Sequence, residues 1–283
     1  MGKPALSTTH DNHAEELTYR RGGFDMRMVV NRSFGLMRIM DYRSGNHDKK
    51  RELLDHAAKT QGLRKIFTVV EKQDSANWRA VGFTQEAAYP CFFRTADAYM
   101  MSRCYDEHGQ PVAIRTLNAA SAEAPSFSAR KLRKPDGLAI EPIDREADRV
   151  ELLDGTTPRT LPFSRVKAPD LVLRGSAGRT PAIYACAEVD ESFAHANVEF
   201  VSPPDTAGQL VVAAYTGQQL LATLKGQDVN NVFAITPIED KFYNELCAGL
   251  GFNVIGRLNR HVQYRGRYAD CFLWHLLLNT QRR

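Results

Sequence analysis

Apolar and polar positions along this chain switch between a two-residue and a 3.6-residue period, and one order of switching occurs twice. Ile66 to Val70 is a strand-length apolar run; a polar helical stretch follows, closed by Gly82-Phe83, and a further strand takes in Ala87, Ala88 and Tyr89. Val232 to Thr236 has the same character. It leads into a helix containing Lys241 to Cys247, then Gly251-Phe252, then Val254-Ile255-Gly256. Each copy is preceded by a helix, Lys49 to Gln61 in the first and Gln209 to Gly226 in the second. An internal repeat of this form implies two copies of one αβ unit.

The remaining pattern fills in both copies. Met26 to Val30 and Leu36 to Met40 are short apolar strands around a turn at Asn31 to Ser33. His47 to Gln61 is a helix with Leu53, Leu54, Ala57 and Ala58 on one stripe, ended by Gly62. Asp74 is placed to cap a helix running to Val81. Glu86 to Tyr89, broken by Pro90, and Ala98 to Cys104 form a closing pair. In the second copy, Ala182 to Val189 and Asn197 to Val201 are antiparallel strands. Pro203-Pro204 then starts a helix capped by Asp205 or Thr206 and running to Leu224. Val232 to Thr236 returns beside Asn197 to Val201. A helix over Asp240 to Ala248 follows, and Val254 to Leu258 and Phe272 to Leu278 close the sheet. The expected organisation is a flexible polar segment over 1–21, a domain over 22–106, an irregular excursion over 107–180 with one helix at Asp144 to Leu153, and a second domain over 181–283.

Composition narrows the class. The chain has 283 residues, 43% hydrophobic and 25% charged, which fits a globular protein with a sizeable core in each half. No apolar run approaches the length of a bilayer span, and Met1 to Glu16 has no apolar core of signal type. The five cysteines, Cys91, Cys104, Cys186, Cys247 and Cys271, are odd in number and widely spaced. They imply reduced thiols, a cytoplasmic protein and no metal site. The net charge of +4 fits an anionic small-molecule partner and argues against nucleic acid.

Several residues in order carry a family resemblance. Val198 through Pro203-Pro204-Asp205-Thr206-Ala207-Gly208-Gln209-Leu210 forms a strand, a loop and a helix start. That order resembles the acyl-CoA element of the GNAT superfamily of N-acetyltransferases, in which loop amides at a helix N-terminus face a pyrophosphate. Tyr243-Asn244, Gly251-Phe252, Gly256-Arg257-Leu258-Asn259, Gly266 and Trp274 resemble the C-terminal end of the beta-lysine N6-acetyltransferase family. Asp25-x-Arg27, Arg64-Lys65-Ile66-Phe67, Gly82-Phe83, Glu86-Ala87, Pro90, Phe92-Phe93 and Met100-Met101 resemble that family's N-terminal domain. The resemblance covers roughly residues 22 to 105 and 182 to 276 and leaves the middle unmatched. It implies an α/β fold of two GNAT-like units, with mixed, mostly antiparallel sheets flanked by helices. It also implies acetyl transfer from acetyl-CoA to the side-chain amine of a small amino acid of the beta-lysine type.

The site residues it implies are Glu199 as base, Val201, Ala207, Gly208, Gln209, Leu210 and Asn244 toward acetyl-CoA, and Asn259 and His261 toward the amine. Three positions depart from the superfamily pattern. Leu210 stands where a second glycine lets the backbone approach phosphate, Asp205 brings negative charge, and Cys247 stands where a tyrosine acid is common. Each residue also has a plainer role. Glu199 could pair with a cation on a strand surface, Gly208 and Gln209 could form an ordinary first helical turn, and Asn244 could be an exposed helix residue. Asn259 and His261 could satisfy local backbone groups, and Cys247 could be a buried inert thiol. Two rival functions follow. One is a non-catalytic GNAT-like binding protein; the other is a transferase using another acyl or an aminoacyl donor. A homodimer is compatible with either.

Overall fold

In a computed structural model of the chain, residues 15–21, 24–32, 34–40, 46–115, 133–149, 169–201 and 203–278 are described. They form two compact units, residues 1–117 with 257–270, and residues 118–256 with 271–283.

The first unit begins with β1 (Glu15–Arg21), β2 (Phe24–Asn31) and β3 (Leu36–Ile39), followed by α1 (His47–Gln61) and β4 (Lys65–Glu71). A short 3-10 turn (Lys72–Asp74) leads into α2 (Ser75–Val81), then β5 (Thr84–Phe93), β6 (Ala96–Tyr105) and β7 (Pro111–Val112). The strands lie in the order β1-β2-β3-β4-β6-β5. β3 and β4 are parallel, and the other adjacent pairs are antiparallel. Leu54 and Ala58 of α1 and Trp78 and Val81 of α2 bury against Met37, Ile39, Ile66, Val70 and Met101, so both helices cover one face of this sheet. α1 stops at Gly62, whose φ of 65° is the left-handed cap that glycine adopts without strain.

The second unit contains β8 (Ala139–Pro142), β9 (Leu171–Ala177), β10 (Thr180–Asp190), β11 (His195–Phe200), α3 (Ala207–Gly226), β12 (Asn231–Pro237) and α4 (Lys241–Gly249). The hairpin strands β13 (Asn253–Tyr264) and β14 (Arg267–Leu277) contribute residues to both units. The order here is β14-β12-β11-β10-β9-β8, parallel at β11–β12 and antiparallel elsewhere. Ala196, Val198 and Phe200 of β11 join Leu210, Val212, Leu220, Tyr243, Leu246 and Cys247 in the core beneath the two helices. No helix among the described residues is long and apolar enough to cross a membrane.

The two-copy reading holds down to single hydrogen bonds. In both units a strand, a helix, a parallel strand and a second helix are followed by a hairpin. The hairpin's last strand, β6 or β14, pairs antiparallel with the middle strand, β4 or β12. Each second helix is closed by a positive-φ glycine just past its last turn, Gly82 at 98° and Gly251 at 91°. The following phenylalanine N–H then reaches back five residues, Phe83 to Trp78 O and Phe252 to Cys247 O, each at 3.0 Å. This closure satisfies carbonyls that a bare helix end would leave open. The expected fold class, α/β with mostly antiparallel sheets flanked by helices, is what the chain forms.

Several local expectations need correction. Residues 15–21, taken from sequence as part of a flexible polar segment, form β1. Its ladder to β2 and the buried Leu17 hold it, and Glu15 and Glu16 pair with Arg32 and Arg27. Asp74 does not cap α2 with its side chain, because it is itself helical at the end of the 3-10 turn. Pro90 does not end β5. It sits in a register irregularity between Tyr89 and Phe93, where no ladder bond is required of it. The excursion holds β7, β8 and β9, whose ladder hydrogen bonds to neighbouring strands outweigh weak local patterning. Of the helix expected at Asp144 to Leu153, residues 146–149 are helical and 150–153 lie outside the described residues.

Candidate functional site

The parallel pairing of β11 with β12 stops at Val198 and Ala234, although β11 continues to Phe200 and β12 to Pro237. Beyond that point the backbone groups of β11 that face β12 need other partners. Val201 N–H donates to Tyr184 O of β10 at 2.9 Å, on the paired side of β11. On the unpaired side, Phe200 N–H donates to the Tyr243 hydroxyl at 2.9 Å. Tyr243 is buried, its ring edge-on to Phe200 at 5.8 Å. Burial pushes its hydroxyl well above the ordinary range, with Cys247 and Glu199 adding to the effect. A side chain of α4 therefore fills the notch where the strands part.

Glu199 stands at this notch. Strand alternation puts it on the face opposite the helices, together with His195 and Asn197, and across β10 from Cys186. It is 6% exposed, which excludes the sequence-based alternative of a strand-surface residue facing water.

The start of α3 caps itself. The Thr206 hydroxyl oxygen accepts from Gln209 N–H at 3.2 Å, while Gln209 Oε1 accepts from Asp205 N–H at 3.1 Å and from the Thr206 hydroxyl at 3.2 Å. This is a variant of the capping box, in which the glutamine reaches one residue past the Thr206 cap to the N–H of Asp205. Leu210 N–H already donates to Thr206 O at 2.9 Å. Of the four loop residues Ala207 to Leu210, Ala207 and Gly208 are thus the ones whose amides meet no acceptor among the described residues and are left for an anion. Gly208 faces open ground, since a Cβ there would meet nothing nearer than Thr180 Oγ1 at 3.9 Å. The Leu210 side chain turns into the core, so it does not obstruct the loop as its position in the sequence implies. Asp205 is exposed.

Asn244 is buried, against the sequence-based alternative of an exposed helix residue. Its Oδ1 accepts from the Thr236 hydroxyl at 2.5 Å, and its Nδ2 donates to Pro237 O and Ile238 O at 3.1 and 3.0 Å. Trp274 Nε1–H donates to the same Thr236 hydroxyl oxygen at 2.7 Å. Asn244 therefore pins the turn between β12 and α4. Cys247 is buried, and burial raises its thiol above the usual range, which favours the inert reading.

Asn259 and His261 belong to the first unit, the other implied site residues to the second. Asn259 joins a buried network. Its N–H and Nδ2 both donate to Glu86 Oε1, at 2.8 and 2.9 Å, and its side-chain amide exchanges two bonds with the Arg115 backbone. Lys65 Nζ completes the group, donating to Glu86 Oε2 at 2.5 Å and to Asn259 O at 2.9 Å. His261 is buried with its ring 5.4 Å from Phe67.

A separate cleft of about 510 Å³ lies between β8, β9 and α3, floored by Ile140, Leu171 and Leu173. Its one arginine, Arg149, donates to the carbonyls of Asp144, Pro169 and Asp170, so it braces that loop.

Tyr243 and Asn197 escaped the sequence reading. Tyr243 lies one turn before Cys247 on the apolar stripe, where an aromatic residue signals core. Asn197 carried a usable signal: His195, Asn197 and Glu199 alternate with Ala196, Val198 and Phe200, which marks a strand with one polar face.

No protein-family model matches the chain, and no curated protein does. Solved structures do resemble it in fold. One is a protein from Salmonella typhimurium, assigned as an acetyltransferase and solved with its cofactor acetyl-CoA; it is 15% identical, with 52% of this chain and 98% of that one aligned and a TM-score of 0.40. The ribosomal-protein-S18-alanine N-acetyltransferase from Escherichia coli is 15% identical over 52% of this chain and 97% of its own, TM-score 0.39. An N-acetyltransferase from Staphylococcus aureus Mu50 is 11% identical over 51% of this chain and all of its own, TM-score 0.39. These neighbours are of the GNAT type, and they do not support the beta-lysine N6-acetyltransferase family in particular.

Proposed function

We propose that the second unit is an N-acetyltransferase module using acetyl-CoA as co-substrate, and that its acceptor is the side-chain amine of a small amino acid of the beta-lysine type. The observation that carries this reading is Glu199, a buried carboxylate at the point where β11 and β12 part. Acetyl transfer from a thioester to an ammonium group needs a base to free the nitrogen lone pair. Glu199 takes that proton, the amine nitrogen bonds to the acetyl carbon, and the carbon–sulfur bond breaks with the pair leaving on sulfur, which takes the second proton that the nitrogen sheds and departs as the free thiol. The Ala207 and Gly208 amides, at the positive end of α3, hold the pyrophosphate. Cytoplasmic location and a small-molecule acceptor belong to the same reading.

The test is release of free thiol from acetyl-CoA in the presence of beta-lysine, lysine or ornithine. Wild type is expected to turn over at least one of them, and Glu199→Gln to lose about 10²–10⁴-fold in rate. Equal thiol release by both proteins would remove Glu199 from the chemistry.

Tyr243 favours a second reading, a GNAT-like binding protein without catalysis, because its hydroxyl already satisfies the Phe200 amide that an extended amide-bearing ligand would otherwise meet.

A further inference from the structure

Three of the four buried asparagines among the described residues permit a direct comparison. Asn244 and Asn259 commit both polar atoms of their side chains, the first to Thr236 and the turn after β12, the second to Glu86 and Arg115. Asn197 commits neither: it is 1% exposed, and its Oδ1 and Nδ2 both lack a hydrogen-bond partner among the described residues. A buried amide left unmade costs about 1–3 kcal/mol per group, and native proteins satisfy nearly all of theirs. This chain satisfies both atoms of Asn244 and Asn259, so the exception at Asn197 calls for a cause.

Its surroundings indicate one. Asn197 lies on the face of β11 opposite α3 and α4, two positions from Glu199 on the same side. Across the ladders it faces Glu188 of β10 and Phe233 of β12. Phe233 is flanked by the rings of His195 at 5.9 Å and His275 at 5.2 Å. An unmatched amide thus sits beside two carboxylate-bearing residues and an aromatic surface. A carboxamide offers one acceptor side and two donors. The neighbouring carboxylates select a cation, and the Nδ2 donors suit an anionic or carbonyl oxygen on the same molecule.

We propose that Asn197 is an acceptor-binding residue, orienting a small amine that carries both an ammonium and a carboxylate against the Glu199 side of β11. This rests on the acetyltransferase reading of the second unit for what happens next, but the binding step requires no acetyl-CoA.

The experiment measures thermal unfolding of the full chain alone, with beta-lysine, with putrescine, and with acetyl-CoA, for wild type, Asn197→Leu and Asn197→Val. Leucine keeps the branching of asparagine without polar atoms; valine is smaller and suits a strand. If the amide is held unsatisfied for a ligand, at least one apolar variant melts about 2–4 °C above wild type. The same variant binds beta-lysine about tenfold more weakly. Putrescine, which has no carboxylate, shifts wild type less than beta-lysine does. The proposal is overturned if both variants melt below wild type with the beta-lysine shift intact, which marks a structural amide. It is equally overturned if neither amine shifts wild type. Failure of the acetyltransferase reading looks different: beta-lysine shifts wild type and acetyl-CoA does not.

Discussion

The Phe200 backbone N–H and the Tyr243 hydroxyl meet at 2.9 Å, so α4 closes the edge that β11 exposes after it leaves β12. In the proposed function this edge receives the amide-bearing arm of acetyl-CoA, and Tyr243 must then yield its place. Tyr243→Phe keeps the bulk and removes the acceptor, leaving the Phe200 amide unsatisfied at a cost of about 1–3 kcal/mol. Its unfolding midpoint is expected to fall. The stabilising shift given by acetyl-CoA should be larger than in wild type, because a ligand carbonyl supplies the missing acceptor. An unchanged midpoint together with an unchanged acetyl-CoA shift would show that the contact closes nothing.

In the first unit Lys65 and Glu86, both fully buried at the side chain, depend on each other. Lys65→Met strands the Glu86 carboxylate and is expected to cost about 3–5 kcal/mol in urea denaturation. Adding Glu86→Gln removes the charge and keeps an oxygen for the Asn259 donors, so the double variant should recover much of the loss. Additive losses in the two single variants would refute the coupling.

Thr236 serves two partners at once, accepting from Trp274 Nε1 and donating to Asn244 Oδ1. Thr236→Val leaves both unpaired in the core and should lower stability by about 1–3 kcal/mol, while Thr236→Ser stays near wild type. If valine is tolerated in urea titration, Asn244 does not depend on this bridge to pin the β12–α4 turn.

His275, stacked on Phe233 with its Nε2 3.0 Å from Asn231 Oδ1, is held below its ordinary pKa by burial. The unfolded chain then takes up this proton first as pH falls, near the free-histidine value of about 6.5. Stability from this group is therefore present above that pH and is lost as pH drops toward the folded value. Urea midpoints at pH 8 and pH 5.5 should differ less in His275→Gln than in wild type. Parallel shifts in the two proteins would exclude His275 as a source.

The fold was largely legible in sequence because its repeat is written in local chemistry. Gly82 and Gly251 sit where only a left-handed residue lets the following Phe83 and Phe252 N–H groups turn back onto the helix, and the strands between are continuous apolar runs. β1 and β8 were not legible, since their ladders to β2 and β9 form between segments whose own patterning is polar or broken. The site was legible in its positions and not in its partners. Asn244 and Leu210 look like cofactor contacts in sequence, but long-range neighbours, Thr236 for one and the core beneath α3 for the other, decide where their side chains go. Tyr243 looks like core, and only the end of the β11–β12 pairing shows that it also occupies a notch.

Calorimetric titration of the full chain with acetyl-CoA, repeated with Tyr243→Ala, tests the central claim most directly. The account predicts saturable one-to-one binding by wild type and tighter binding once the smaller side chain opens the notch. No binding by either protein, with both folded, would contradict an acetyl-CoA site in the second unit.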